Sequence, residues 1–359
     1  MEAAFITQHT SLLTGAKRVL IVKLSAIGDV LHALPVAAAL KDAYPHLTID
    51  WAVEEPFVPL LAGNPCLANV IGLPKLRGSR LRSASFRRDY RRRLQALREN
   101  RYDVSLDLQG LTKSAIVAVS SGAKIRLGYH WLREAAKFLE KPVPRRPESV
   151  HIVDQYLDVA RFLGASPAVV RFPFDIPAED AIAVETLLAE AGLAPGSKFV
   201  TLNPASARPE KEWAAEKFAA LADAIFTQSG TPTALVTADV AAARRVVDAA
   251  KEPVINLAGR TNLKQLADVL RRGTAHVCGD TGSGHLAAAL NVPVVSLFGP
   301  TDPLRSCPYG QSALVVSHRE VCDPNCRGNK CALPHPRCMD AITVAEVFQI
   351  LELGLHGLK

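Results

Sequence analysis

The chain has 359 residues, of which 48% are hydrophobic and 21% are charged. This length exceeds what one hydrophobic core usually serves, so it predicts two domains, and the composition excludes a disordered protein. The first sixteen residues lack a basic start and an unbroken apolar stretch, and no run of about 18 apolar residues follows. We therefore expect a cytoplasmic protein without a transmembrane segment.

The net charge of +7 is unevenly distributed along the chain. Residues 1–176 hold 25 Lys and Arg against 16 Asp and Glu, whereas residues 177–359 hold 17 against 19. A basic first half predicts an anionic partner, which charge alone leaves open as nucleic acid, an anionic membrane or a phosphorylated substrate.

Strand and helix patterns alternate through the first half. An apolar β-branched run predicts a strand over Arg18–Lys23, and a turn then leads into a helix over Val30–Leu40. Further strands are predicted at Leu47–Val53, Val70–Leu73 and Val104–Leu108. This alternation predicts a parallel, doubly wound sheet.

The same pattern returns in the second half. Strands are predicted at Lys198–Asn203, Thr233–Thr237, Val254–Leu257, Ala275–Cys278 and Val294–Phe298, and helices at Ala214–Thr227, Ala241–Ala250, Leu263–Arg271 and Ile342–Leu355. The proline-containing segment Val170–Pro177 suits a linker, so we expect an N-terminal domain of residues 1–177 and a C-terminal domain of residues 178–359. The predicted fold class is α/β, with two Rossmann-like domains that bind ligands in a cleft between them.

The turn after the first predicted strand carries Gly28 and Asp29. Gly28 would allow a sharp turn and a close ligand, and Asp29 would then project towards the ligand as a general base. The alternative is that Asp29 only caps the following helix. The turn does not match the glycine fingerprint of dinucleotide-binding proteins.

Two loops of the second half have features of a diphosphate site. Gly279–His285 places small residues before a helix, where backbone N–H groups and the helix dipole attract phosphate. The alternative is a glycine-rich connector in which Asp280 only caps the helix. Three polar residues follow the first strand of this half and could neutralise a diphosphate leaving group without a metal: Ser206, Arg208 and Lys211. The alternative is a solvated polar loop, which is favoured for Arg208, whereas Lys211 is the stronger candidate.

A basic run covers Lys75–Arg98, with ten Lys and Arg and the single acid Asp89. Such a run is either a solvated face or a phosphate-binding surface, since four arginines would share broad faces of a helix: Arg87, Arg88, Arg91 and Arg92. No aromatic-rich motif accompanies it, which argues against nucleic acid as a partner.

Four cysteines cluster near the C-terminus, at Cys322, Cys326, Cys331 and Cys338. Their spacing matches neither a zinc ribbon nor a ferredoxin run, so a structural metal or iron–sulfur cluster, disulfides and reduced packing thiols all stay open.

Taken together, the motifs resemble glycosyltransferase family 9, the bacterial lipopolysaccharide heptosyltransferases. The resemblance extends from about residue 17 to the closing helix, and five blocks carry it: Val19–Pro35, Trp51–Glu55, Asp107–Ser114, Gly279–His285 and Phe298–Pro303. The second and third blocks are most similar to the heptosyltransferase I branch.

The resemblance implies a GT-B fold and inverting transfer of heptose from ADP-heptose to Kdo of the lipid A inner core, at the cytoplasmic face of the inner membrane, with no cofactor required. Asp29 matches the general base and Lys211 the diphosphate-binding lysine. Asp280, Thr281 and Gly282, with Gly28, Ser206 and His285, fall on the donor side. The anionic acceptor gives the basic segment a partner, with Lys113, Arg87, Arg88 and Arg91 as candidates. One departure is Ala238–Ala243, where the family's ribose-contacting glutamate is missing.

Overall fold

The computed structural model describes residue 13 and residues 15–76, 83–322, 331 and 336–356. The chain divides into two compact units, Met1–Asp175 and Ile176–Lys359. Each unit contains one six-stranded sheet. All strand pairs that the structure describes in the two sheets are parallel.

The first unit alternates strands with helices. Its elements are β1 (Arg18–Val22), α1 (Ile27–Ala43), β2 (Thr48–Glu54), α2 (Val58–Leu61), β3 (Asn69–Leu73), α3 (Ala84–Glu99), β4 (Val104–Asp107), α4 (Thr112–Ser120), β5 (Ile125–Gly128), α5 (Ala136–Leu139), β6 (Lys141–Pro142) and α6 (Ile152–Phe162).

The sheet order of the first unit is β3-β2-β1-β4-β5-β6. Central strands such as β1 are buried along nearly their whole length because helices cover both faces of a parallel sheet. Val22 lies opposite Ala52 of β2 and Asp107 of β4, so the chain leaves β1 and β4 at neighbouring points of one edge.

The second unit repeats this architecture. Its elements are α7 (Ala178–Glu190), β7 (Val200–Asn203), α8 (Ala215–Ser229), β8 (Thr233–Leu235), α9 (Val240–Ala249), β9 (Val254–Asn256), α10 (Leu263–Arg272), β10 (Ala275–Gly279), α11 (Gly282–Ala289), β11 (Val294–Phe298), α12 (Pro303–Ser306), β12 (Val315–Ser317), α13 (Arg337–Asp340) and α14 (Val344–His356).

The sheet order of the second unit is β12-β11-β10-β7-β8-β9. If the strands of this unit are renumbered from one and the order is read from β9, it is identical to the strand order of the first sheet. The closing helix α14 buries Val347 and Leu351 in the core, and Trp213 donates its indole N–H to the carbonyl of Ile342 just before that helix. The predicted α/β class with two Rossmann-like sheets is confirmed.

Two helices begin earlier than predicted. The helix predicted to start at Val30 begins at Ile27, so Gly28 and Asp29 lie in its first turn. Gly28 has no left-handed φ angle, and its predicted role in a sharp turn is wrong. Likewise α11 begins at Gly282. Gly284 lies in its first turn and allows close packing on β10, since a Cβ there would lie 2.7 Å from Cys278 Sγ.

None of the helices that the structure describes is both long and apolar enough to cross a membrane.

Candidate active site

Each sheet has one point where the strand order reverses, between β1 and β4 in the first unit and between β7 and β10 in the second. Open parallel sheets bind ligands at the carboxyl ends of the strands flanking such a point. Asp29 and Gln109 follow β1 and β4, and Lys211 and Asp280 follow β7 and β10. The candidate residues therefore lie at the expected edge of each sheet.

Asp29 lies in the first turn of α1, and a buried lysine before the helix holds its carboxylate. Lys23 is 2% exposed and donates from Nζ to the carbonyl of Leu108 at 2.9 Å and to the hydroxyl of Tyr156 at 2.7 Å. The same Nζ lies 3.6 Å from Asp29 Oδ1, whose side chain is 48% exposed. Asp29 Oδ2 also accepts from the backbone N–H of Ala26 at 3.3 Å. The carboxylate thus caps the helix and still presents an oriented, solvent-accessible face.

The backbone preceding Asp29 is fixed by the loop after β4. Gln109 Oε1 accepts from the N–H groups of Leu24 and Ser25, both at 3.2 Å. Asp107, which is fully buried, in turn accepts the N–H groups of Gln109 at 2.7 Å and Gly110 at 2.9 Å. This chain of hydrogen bonds positions the turn between β1 and α1 from the neighbouring strand.

Lys113, predicted to contact an anionic acceptor, is paired within the first unit. Its Nζ lies 2.8 Å from Glu54 Oε1 and donates to Ser25 Oγ at 3.1 Å. Because Glu54 is buried at the end of β2, Lys113 neutralises a carboxylate that would otherwise be desolvated without a partner. Its side chain stays 28% exposed, close to the Asp29 turn.

The predicted arginines lie on α3, and residues 77–82 of the basic run lie outside the described residues. Arg87, Arg88 and Arg91 are exposed and line an open depression of about 420 Å³. Further along the helix, Arg93 forms an ion pair with Glu55 at 2.8 Å and donates to the carbonyl of Gly72. These contacts anchor the middle of α3 near the carboxyl ends of β2 and β3.

In the second unit, Asp280 contacts two residues predicted on the donor side, Lys211 and His285, and also Thr301, which was not among them. Lys211 Nζ lies 2.5 Å from Asp280 Oδ2, which also accepts from Thr301 Oγ1 at 2.9 Å, and His285 Nε2 lies 3.8 Å from Oδ1. Burial acts to raise the pKa of Asp280, but His285 and Lys211 together lower that pKa below its usual range. Asp280 is therefore an ionised carboxylate that orients a cation on the loop after β7.

The start of α11 adds backbone donors beside this ion pair. Thr281 is the N-cap residue and makes no side-chain cap hydrogen bond, so the first N–H groups of the helix, from Gly282 onward, have no partner within the helix. Ser206 donates its N–H to Glu212 at 3.4 Å, within the loop that carries Lys211. The set combines a lysine, backbone donors and a helix N-terminus, which is suited to a diphosphate.

The segment that departs from the family pattern forms the start of α9. Asp239 caps this helix by accepting from the N–H of Ala242 at 2.9 Å. The only acidic side chain of this segment, Asp239, therefore accepts a hydrogen bond from a backbone N–H of its own helix.

Three cysteines of the C-terminal group, Cys322, Cys331 and Cys338, form no disulfide, and Cys326 lies outside the described residues. Burial, followed by its contact with Cys322, raises the pKa of Cys338 to about 12. Across the described ranges, no group of three or more metal-ligating side chains is found. A cluster that includes Cys326 stays a prediction.

Sequence reasoning missed several side chains that support the site. Lys23, Glu54 and Gln109 each stand at or just after the end of a predicted strand, and this position is the signal that could have identified them. Tyr156 is 133 residues from its partner Lys23, and no local pattern links the two.

Similarity to known proteins shows that the chain is a glycosyltransferase. The chain belongs to glycosyltransferase family 9, the heptosyltransferases, whose model matches residues 90–335. Lipopolysaccharide heptosyltransferase 1 of Pseudomonas aeruginosa is 32% identical over 86% of this chain and 85% of its own length.

Solved structures of the family have the same GT-B fold. The E. coli heptosyltransferase WaaC with ADP aligns with a TM-score of 0.71 at 26% identity, over 93% of this chain and 99% of that one. The E. coli ADP-heptose heptosyltransferase II aligns with a TM-score of 0.75 at 23% identity, over 94% and 98%. The predicted family and enzyme class are confirmed.

Proposed function

We propose that the chain transfers L-glycero-D-manno-heptose from ADP-heptose to a Kdo sugar of the lipid A inner core, with inversion at the anomeric carbon. The observation that carries the proposal is the exposed carboxylate of Asp29, held at a strand-order switch point by the buried Lys23. Similarity to heptosyltransferase 1 of P. aeruginosa and to an ADP-bound family member supports the choice of sugar and nucleotide.

Asp29 acts as the general base. It takes the proton of the attacking Kdo hydroxyl while that oxygen forms a bond to the anomeric carbon of heptose and the bond from this carbon to the diphosphate oxygen breaks. A single displacement of this kind inverts the configuration. Lys23 holds the carboxylate in one orientation, so little reorganisation is needed when the acceptor arrives.

The second unit binds the donor and stabilises the leaving group. Lys211 and the first N–H groups of α11 contact the diphosphate, on which negative charge grows as ADP departs. Asp280 keeps the Lys211 ammonium in place before the donor binds. The residues that face the diphosphate supply positive charge and hydrogen-bond donors themselves, so the proposal requires no metal.

The first unit binds the acceptor. Kdo carboxylates and lipid A phosphates are anionic, and Lys113 with the α3 arginines, Arg87, Arg88 and Arg91, offers cations on the unit that also carries Asp29. Exposed arginines near an anionic bilayer gain about 1 kcal/mol each in binding. We therefore place the enzyme peripherally at the cytoplasmic face of the inner membrane.

A second family 9 activity, with another sugar or acceptor, is the alternative that the similarity to heptosyltransferase II favours. A nucleotide-sugar-binding protein without turnover is a further alternative, and the oriented Asp29 carboxylate argues against it.

The test combines ADP-heptose and other nucleotide sugars with Kdo-lipid A and with heptosylated acceptors, and identifies products by mass spectrometry. We expect addition of one heptose to Kdo-lipid A from ADP-heptose. Transfer only to an already heptosylated acceptor would replace the proposal with the second activity, and donor binding without any product would favour the binding protein.

A further inference from the structure

His276 lies within β10 and is completely buried, and the proposed chemistry does not use it. Its Nδ1 is 2.9 Å from Thr201 Oγ1, and its Nε2 is 3.0 Å from Ser283 Oγ. Burial lowers the pKa of His276 to about 3. The imidazole is therefore neutral near pH 7, with one nitrogen as a donor and the other as an acceptor.

The surrounding hydrogen bonds determine which nitrogen carries the proton. The Thr201 hydroxyl donates to the carbonyl of Ala275 at 3.1 Å, so it has no proton left for the ring and accepts from Nδ1–H of His276. Nε2 then accepts from the hydroxyl of Ser283. This arrangement gives every buried donor and acceptor around the ring a partner.

Ser283 connects the ring to both loops of the donor side. Since its proton is given to His276, Ser283 Oγ accepts from Asn203 Nδ2 at 2.8 Å and from Thr281 Oγ1 at 3.0 Å. Asn203 also accepts from the N–H of Ala205 at 3.1 Å. The serine thus joins the end of β7, where the Lys211 loop starts, to the first turn of α11.

We infer that His276 is a positioning residue, which acts through Ser283 to hold the two loops that bind the diphosphate of the nucleotide-sugar donor. The inference rests on the proposed function, because it assigns the ligand of these loops. Loops that are already ordered bind a ligand more tightly than loops that must become ordered when the ligand binds. The imidazole therefore contributes to donor affinity without contacting the donor.

The experiment measures ADP binding by calorimetry and the kinetic constants for ADP-heptose. We expect Ser283→Ala and His276→Leu each to weaken ADP binding and raise the donor KM by about 5- to 30-fold, with a smaller change in kcat because Asp29 is untouched. Ser296→Ala is the matched control: this serine is buried on the adjacent strand β11, and its hydroxyl has no partner among the described residues. We expect a change below about 2-fold there.

Two further variants separate positioning from general packing. His276→Gln provides an amide oxygen in place of the acceptor nitrogen and should recover most of the affinity lost in His276→Leu. The double variant His276→Leu/Ser283→Ala should bind ADP no more weakly than His276→Leu alone, because both changes break one linkage. Additive losses, or unchanged binding in Ser283→Ala, would overturn the inference.

Hydrogen exchange of the free protein keeps this result distinct from failure of the proposed function. Ser283→Ala should speed amide exchange in residues 203–206 and 281–285, and Ser296→Ala should not. If the wild type does not bind ADP, the proposed function fails, and the exchange data still decide whether the serine holds the loops. Unchanged exchange in Ser283→Ala would refute the positioning role.

Discussion

Glu140→Gln should stabilise the first unit, and increasingly so as the pH rises. Glu140 is 7% exposed and faces the fully buried Asp107. No donor of the described residues reaches either oxygen of Glu140 or Oδ2 of Asp107. Burial, and then the charge of Asp107, raises the pKa of Glu140 to about 9. Burial raises the pKa of Asp107 as well, so the folded protein keeps a proton on the Glu140–Asp107 pair that the unfolded chain releases above pH 4.5.

The direction and size of the effect follow from this difference in proton binding. A group whose pKa is raised by folding contributes its full stability below its unfolded pKa, and loses it as the pH rises towards the folded value. Between pH 4.5 and about 9 the wild type thus loses up to about 1.4 kcal/mol per pH unit, or at most about 5 kcal/mol at pH 8. Glutamine needs no proton, can donate its amide to Asp107 Oδ2, and removes this loss.

Urea unfolding at pH 5, 6, 7 and 8, followed by tryptophan fluorescence, measures the effect. All variants carry Trp213→Phe, so that the remaining tryptophans, Trp51 and Trp131, report on the first unit. The stability gain of Glu140→Gln over wild type should grow with pH. Glu148→Gln, at an exposed site of the same unit, should give a curve parallel to wild type. A parallel curve for Glu140→Gln as well would show that no proton is held in this pair.

Two further predictions concern the proposed ligands. Lys211→Met should weaken ADP binding by about 10-fold or more, because the diphosphate loses a direct cation. The control is Lys198→Met, which changes an exposed lysine before β7. Equal losses of ADP affinity in the two variants would refute a specific contact. Replacing three arginines of α3 by glutamine, at Arg87, Arg88 and Arg91, should lower kcat/KM for the acceptor and weaken binding to anionic vesicles, and both effects should depend on salt. Transfer assays measure the first effect and vesicle sedimentation the second. Unchanged acceptor kinetics would show that these arginines are not part of the acceptor site.

Most central strands of the two sheets could be predicted because a parallel strand covered on both faces is a continuous apolar run. This signal identified β1, β4, β7, β10 and β11. The edge strands β3 and β9 are predicted as well. The signal fails at β5, whose first two residues are only partly buried, at the edge strand β12, and at the edge strand β6, whose two residues Lys141 and Pro142 are exposed.

Glycine misled the helix predictions. The sequence pattern around Gly28 and Gly282 predicts loops, yet each glycine lies in the first turn of a buried helix, where tertiary packing outweighs intrinsic propensity. Candidate site residues after strand ends, such as Asp29 and Lys211, could be found from the sequence. Their long-range partners could not, since the bond from Lys23 to Tyr156 depends on the complete fold.

The most direct test of the proposed function compares Asp29→Asn with wild type for heptose transfer from ADP-heptose to Kdo-lipid A, followed by mass spectrometry. Asp42→Asn, at an exposed position of the same helix, is the matched control. We expect wild type and the control to add one heptose, and Asp29→Asn to lose about 10²- to 10⁴-fold in kcat while ADP affinity is unchanged. Full activity of Asp29→Asn, or no transfer by a wild type that binds ADP, would contradict the proposal.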